Sequence, residues 1–148
     1  MTIAELNRRF NTADISKFAG ESVVKYEKEI TTANKEQLLD GERSDGEKVT
    51  PQYASKSYAN WKYKKNSRAG LFTPDLKKEG DFHEGFYVEL AGDNKYKVSS
   101  RDSKTGMLTS NSRYTPMIFG LNLRNSQDVG ERYVQPDFIA RLKTFLFR

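Results

Sequence analysis

The chain has 148 residues, no cysteine and a formal net charge of +5, which fits one domain around a modest core and excludes disulfide staples, thiolate metal sites and cysteine nucleophiles. No run approaches the roughly 20 apolar residues of a membrane span, so no membrane contact is expected. The opening "MTIAELNRRF" lacks the basic segment and apolar core of a secretory signal, and the positive charge admits an acidic partner without demanding one.

"TIAE" reads as a capping box, with Thr2 as N-cap and Glu5 three positions later. Ile3, Leu6 and Phe10 follow at near-helical spacing and predict a short first helix. Asn11 or Thr12 then caps a longer helix running to Leu39, whose apolar set (Ile15, Phe18, Val23, Tyr26, Ile30, Ala33, Leu38) lies close to one face. Gly20 is its weak point, costing about 1 kcal/mol relative to alanine, and the candidate place for the helix to divide. "DGERSDGEKVTP" contains two Asp-Gly pairs and a proline, which is turn chemistry. A short helix over residues 54–65 follows, then the connecting stretch "SRAGLFTPDLKKEGDF".

The clearest strand signal comes next. In "GFYVELAG", Phe86, Val88 and Leu90 alternate with Tyr87 and Glu89. In "KYKVSS", Tyr96 and Val98 alternate with Lys95, Lys97 and Ser99. The two runs flank Asp93-Asn94 and predict a hairpin with one buried face. "DSKTGMLT" begins a short helix capped by Asp102 or Ser103, and "YTPMIFGLN" is an apolar lead-in to the end. There Phe138, Ile139, Leu142, Phe145 and Leu146 recur at helical spacing, with Pro136 in the first turn, where its missing N–H costs nothing. The expected class is α+β: a long N-terminal helix and a C-terminal helix packed on a small antiparallel hairpin. One domain is expected, helical over 1–40, turns and a short helix over 41–82, the hairpin over 83–101, and mostly helical over 102–148.

Residues 53–66, "YASKSYANWKYKKN", combine rings with cations. Lys56, Lys62, Lys64, Lys65 and Arg68 form a candidate basic surface with no acid among them. Rings beside cations suit single-stranded nucleic acid, since a base offers a π-face and a phosphate; that reading would use Tyr53, Tyr58, Trp61 and Tyr63. Rings three residues apart are also ordinary core spacing on a helix. The structural reading is the expectation here: Tyr58 and Trp61 anchor inward, as Phe86 does from the hairpin, and the lysines stay outside. Burying such a ring contributes about 1.5–3 kcal/mol.

His83, the only imidazole, lies in "GDFHEGF" beside Asp81 and Glu84. Neighbours on a strand point to opposite faces, no second ligand stands at a diagnostic spacing, and a surface histidine is expected. Neither a phosphate-binding glycine motif nor a nucleophile elbow nor a zinc-binding H-E-x-x-H occurs. No catalytic residue, metal ligand or cofactor is assigned.

The order of the pieces resembles small virion-morphogenesis proteins of bacteriophages and prophages, of the head–tail connector and tail-completion group, especially those of Bacteroidetes phages. A "QL..G" stretch with a following Asp-Gly is matched by Gln37, Leu38, Gly41, Asp45 and Gly46. Tyr53, Tyr58 and Lys62 match its "Y...Y...K" portion. Asp75, Leu76, Gly80, Asp81, Phe82 and Phe86 match a "DL..tGdf..sf" strand entry, and Phe119, Gly120 and Leu121 a "fGL" element. Glu79 stands where that family usually has threonine, and "SNSRYTPMIFGL" lacks its Tyr-Gly pair. The resemblance covers roughly residues 35–148 and brings no enzymatic residues. It implies a non-enzymatic component of the virion, assembled in the bacterial host cytoplasm as a homo-oligomeric ring at the head–tail neck or tail terminus. Its partners would be further copies of itself, portal, adaptor or tail-tube proteins, and transiently genomic DNA. Phe145, Leu146 and Phe147 are the candidate subunit interface, because three apolar residues in the last four positions need cover. The alternative is a small basic module that binds single-stranded nucleic acid.

Overall fold

Capping side chains open several of the helices. In the computed structural model, which describes residues 1–92, 94–110 and 113–148, the Thr2 hydroxyl accepts from the Glu5 amide at 3.1 Å and starts α1 (Ile3–Thr12). Asp14 caps α2 (Ile15–Lys25), accepting from the Lys17 amide at 3.0 Å, so the cap is neither Asn11 nor Thr12. The long helix expected as far as Leu39 does divide, but at Tyr26, where φ is −103° and ψ is 26°. From there α3 (Glu27–Leu39) continues. Gly20 stays inside α2, close against the hairpin: a Cβ there would lie 3.2 Å from Leu90 Cδ1, and that exposed side chain would have to shift slightly to admit it.

Gly41 and Gly46 take positive φ (73° and 83°) in the two Asp-Gly turns. Beyond them lie α4 (Lys56–Lys65), α5 (Asp81–Glu84), β1 (Phe86–Leu90), β2 (Tyr96–Ser100), α6 (Thr105–Leu108), α7 (Leu123–Val129) and α8 (Gln135–Phe147). A π-helical turn, Gly130–Val134, joins α7 to α8. The two strands pair antiparallel with Val88 opposite Val98. Of the expected turn dipeptide, Asp93 lies outside the described residues, as do Asn111 and Ser112 of "SNSRYTPMIFGL". The fold is α+β, with helices at both termini and a two-stranded antiparallel sheet.

Phe86, Val88 and Val98 turn inward to a cluster with Ile30, Leu38, Val49, Phe82, Ile118 and Val129. The Phe86 ring lies 5.1 Å from Phe82 and 5.3 Å from Phe119. The buried face of the hairpin narrows towards its tip, where the facing pair Leu90 and Tyr96 is exposed; both were expected inside. Helix α3 packs on β1 and on α7, and carries two buried carboxamides. Asn34 Nδ2 donates to the Ile118 carbonyl at 3.1 Å, while its Oδ1 accepts from the Gly120 amide at 2.8 Å. Gln37 Nε2 donates to the Gly120 carbonyl at 3.0 Å, and its Oε1 accepts from the Asn122 amide at 2.8 Å. Two side chains thus satisfy the main chain of residues 118–122 as a neighbouring strand would.

Helix α8 packs chiefly on α2 and α1. Phe145 lies 5.5 Å from Phe18 ring to ring, Leu146 is buried, and Arg9 donates to the Leu146 carbonyl at 3.0 Å. Asp137, in the first turn of α8, accepts from Ser22, Lys25 and Arg141 at 2.6–2.9 Å, and these donors hold its pKa well below the usual carboxylate range. The expected interface triad is therefore corrected: Phe145 and Leu146 are engaged within their own chain, and Phe147 remains, 61% exposed. Successive helical positions turn by about 100°, which carries Phe147 off the packed face.

Candidate functional site

Helix α4 starts at Ser55, whose hydroxyl accepts from the Tyr58 amide at 3.2 Å. Its inward side consists of Ala59 and Lys62, and its outward side carries Tyr58, Trp61 and Tyr63, 39%, 47% and 45% exposed. This overturns the expected orientation, in which Tyr58 and Trp61 were core anchors and Lys62 part of a solvated surface. The reason is an ion pair across the loop. Lys62 Nζ lies 2.8 Å from Asp75 Oδ1 and also donates to the Lys77 carbonyl. A buried ammonium is tolerated only when paired and hydrogen-bonded, and a helix that turns Lys62 inward must turn Trp61 and Tyr63 outward.

Asp75 is the hub of this corner. Its Oδ2 accepts from Asn66 Nδ2 at 3.0 Å, and its Oδ1 from the Lys77 amide at 2.9 Å. Asn66 Nδ2 reaches the Leu39 carbonyl as well, at 2.8 Å, tying the end of α3 to the end of α4. Burial alone would raise the Asp75 pKa; the bonds from Lys62, Asn66 and the Lys77 amide outweigh it and hold the group below its ordinary value. Burial, reinforced by the Asp75 charge, pushes the Tyr53 hydroxyl upwards.

His83 belongs to the same corner and is buried, not on the surface as expected. Its Nε2 lies 3.0 Å from the Asp75 carbonyl and its ring stacks on Phe86 at 5.7 Å. A carbonyl only accepts, so Nε2 carries the proton. Burial lowers the pKa of the ring, with the bond to Asp75 opposing. The sequence placed His83 on a strand; the structure places it in α5, where its face is set by the helical turn. Among the described residues no group of three or more His, Asp or Glu is placed to hold a metal ion, and no helix is long and apolar enough to cross a membrane.

The candidate basic surface shrinks accordingly. Lys56, Lys64 and Lys65 are exposed. Arg68 is pinned to α3 by Glu36 and Asp40, each at 2.8 Å, so it is not a free cation. The rings form a short row: Tyr53 to Tyr58 at 5.1 Å, Tyr58 to Trp61 at 5.6 Å, and Lys65 Nζ 5.4 Å from the Trp61 ring centre.

Two open hollows flank α4. One, of about 200 Å³, is lined by Tyr53, Tyr58 and Tyr114; the other, of about 420 Å³, by Trp61, Lys65 and Asp75. Both include Lys62, Lys77 and Lys78, so they adjoin along the loop that carries Asp75. Lys77, Lys78, Lys104 and Tyr114 were not singled out from the sequence; "KK" after Pro-Asp-Leu was the available signal for the first two. Comparison of the chain with protein-family models, with curated proteins and with solved structures gives no match.

Proposed function

We propose that the protein is a non-enzymatic structural component of a phage virion, assembling as a ring at the head–tail neck or tail terminus and joining the portal side of the capsid to the tail. The observation that carries this reading is where the family-like residues meet. Tyr53, Tyr58, Lys62, Leu76, Gly80, Asp81 and Phe82 line one hollow, and Asp75 holds Lys62 there. Gln37 grips Gly120 of the "FGL" element. Residues spread over more than eighty positions thus serve two local structural tasks, which supports the reading.

Two further features suit a ring. Exposed apolar side chains occur on different elements: Ile3 and Phe10 on α1 with Phe147 on α8, and Tyr58, Trp61 and Tyr63 on α4. A closed ring requires two unlike surfaces that meet head to tail. Lys56, Lys64 and Lys65 would offer passing genomic DNA the weak, salt-dependent attraction that a lumen needs. Particles purified from the phage or induced prophage encoding the chain should contain it in fixed stoichiometry, and electron microscopy should place it at the neck or tail end. Its absence from such particles would refute the proposal.

A further inference from the structure

We propose that the two hollows beside α4 form one groove for single-stranded nucleic acid. This goes beyond the ring reading and does not depend on it, since the groove is complete within one chain.

Its chemistry is mixed in a particular way. Lys77, Lys78 and Lys104 line the first hollow, and Lys65, Lys77 and Lys78 the second. All four are exposed, and among the described residues none forms an ion pair with a carboxylate, whereas Lys62 is spent on Asp75. Glu79 and Asp81 are the acids that oppose them in the first hollow; among the described residues the one acid lining the second, Asp75, is already neutralised. Between the cations stand aromatic rings. Trp61 lines the second hollow, and Tyr53, Tyr58 and Tyr114 the first.

Exposed lysines attract any polyanion, but rings among them select for one kind. A nucleotide in a single strand presents a phosphate and an unstacked base, and such bases stack on aromatic side chains. A duplex keeps its bases stacked on one another and offers the groove only phosphates. An acidic peptide brings charge and no π-faces. Trp61 makes the discriminating contact: it keeps about half of its surface in solvent and carries the Lys65 ammonium over its ring, 5.4 Å from the centre, so a base that stacks there displaces the ammonium towards the nucleotide's own phosphate. Burial of Lys62 underlies the arrangement, because turning that side chain in is what leaves the Trp61 ring out.

The test uses the intact chain and a labelled oligothymidylate of about 12 residues, within the usual site size for such grooves, read by fluorescence anisotropy at low and moderate salt. Binding should be saturable, quench the single tryptophan, and fall with salt at about 0.7 log units per phosphate contact per log unit of salt. Lys77→Ala with Lys78→Ala should weaken it about tenfold or more, as loss of two phosphate contacts does. Lys28→Ala with Lys143→Ala, an equal loss of charge at exposed positions outside the groove, should change it by less than about threefold. Trp61→Leu should lower affinity and abolish the preference for single strand over duplex, with circular dichroism confirming an unchanged fold. The proposal is overturned if no binding occurs at low salt, if duplex or poly-glutamate competes as well as the oligonucleotide, or if the two lysine pairs behave alike.

Discussion

Lys62 and Asp75 meet at 2.8 Å with 8% and 4% of their side chains left in solvent, and the orientation of α4 follows from that pair. Removing one partner strands the other. Lys62→Met or Asp75→Leu alone should cost about 3–5 kcal/mol, as breaking a buried pair does, while the double substitution should recover much of the loss. Chemical denaturation of the four proteins of the cycle measures the coupling. Additive single effects would mean that the ion pair does not organise the corner.

Trp61 and Ala59 lie on the same helix and should respond oppositely to intuition about size. Core burial of Trp61 would have implied a loss of about 3–5 kcal/mol on truncation to alanine. With its ring about half exposed, the expected loss is about 1 kcal/mol or less. Ala59 has no exposed surface, and Ala59→Leu should cost about 1–3 kcal/mol by overpacking. Melting curves of the two variants, compared directly, decide the orientation of α4.

His83 makes stability depend on pH in a predictable direction. Burial lowers its folded pKa below the ordinary imidazole value of 6.5, so the unfolded chain binds more protons once the pH falls below that value. Stability is full above about pH 6.5 and declines as the pH drops from there towards the folded pKa. Protonation would add a cation beside Lys77 and Lys35, whose charges already oppose it, with the Asp75 carboxylate partly compensating. Asp75, whose pKa is depressed below 3.8, adds a second decline below that pH. His83→Gln should be less stable at neutral pH yet show a shallower slope as the pH falls below about 6.5. Denaturant midpoints across that range report it; equal slopes would argue against a buried neutral ring.

The end of α8 separates folding from surface. Leu146→Ala should destabilise by about 2–4 kcal/mol, as a buried leucine does, whereas Phe147→Ser should stay within about 0.5 kcal/mol. Deleting residues 145–148 removes the Phe18 partner and the carbonyls that Arg9 holds, so the shortened chain should melt markedly earlier. Thermal circular dichroism of the three variants checks the ordering. An unshifted midpoint for the deletion would return those residues to an intermolecular role.

Local chemistry made much of this fold readable. The Thr2 cap, the Asp-Gly turns and the alternation around Val88 and Val98 depend on residues within a few positions of one another, and each occurs as expected. The candidate site was less readable because its decisive contact is not local. Nothing in "YANWKYKK" says that Lys62 has a carboxylate waiting thirteen positions later, and without that partner the aromatic face is the natural one to bury. His83 was misplaced for the same reason, its partner being the main-chain carbonyl of Asp75, which no side-chain pattern reveals. Helix α7 escaped notice because "LRNSQDV" is polar and carries no apolar period; its start is marked only by Asn122, which accepts from the Asn125 amide at 2.9 Å.

The carboxamides of Asn34 and Gln37 bear on how the chain reaches this fold. Their partners at Ile118, Gly120 and Asn122 lie 83–86 residues further along. Contacts of such long sequence separation slow folding, because loop-closure entropy is lost before they form. During synthesis α3 therefore emerges with a polar strip and an apolar face that stay unsatisfied until residue 122 has left the ribosome. Over that interval the nascent helices are exposed to aggregation.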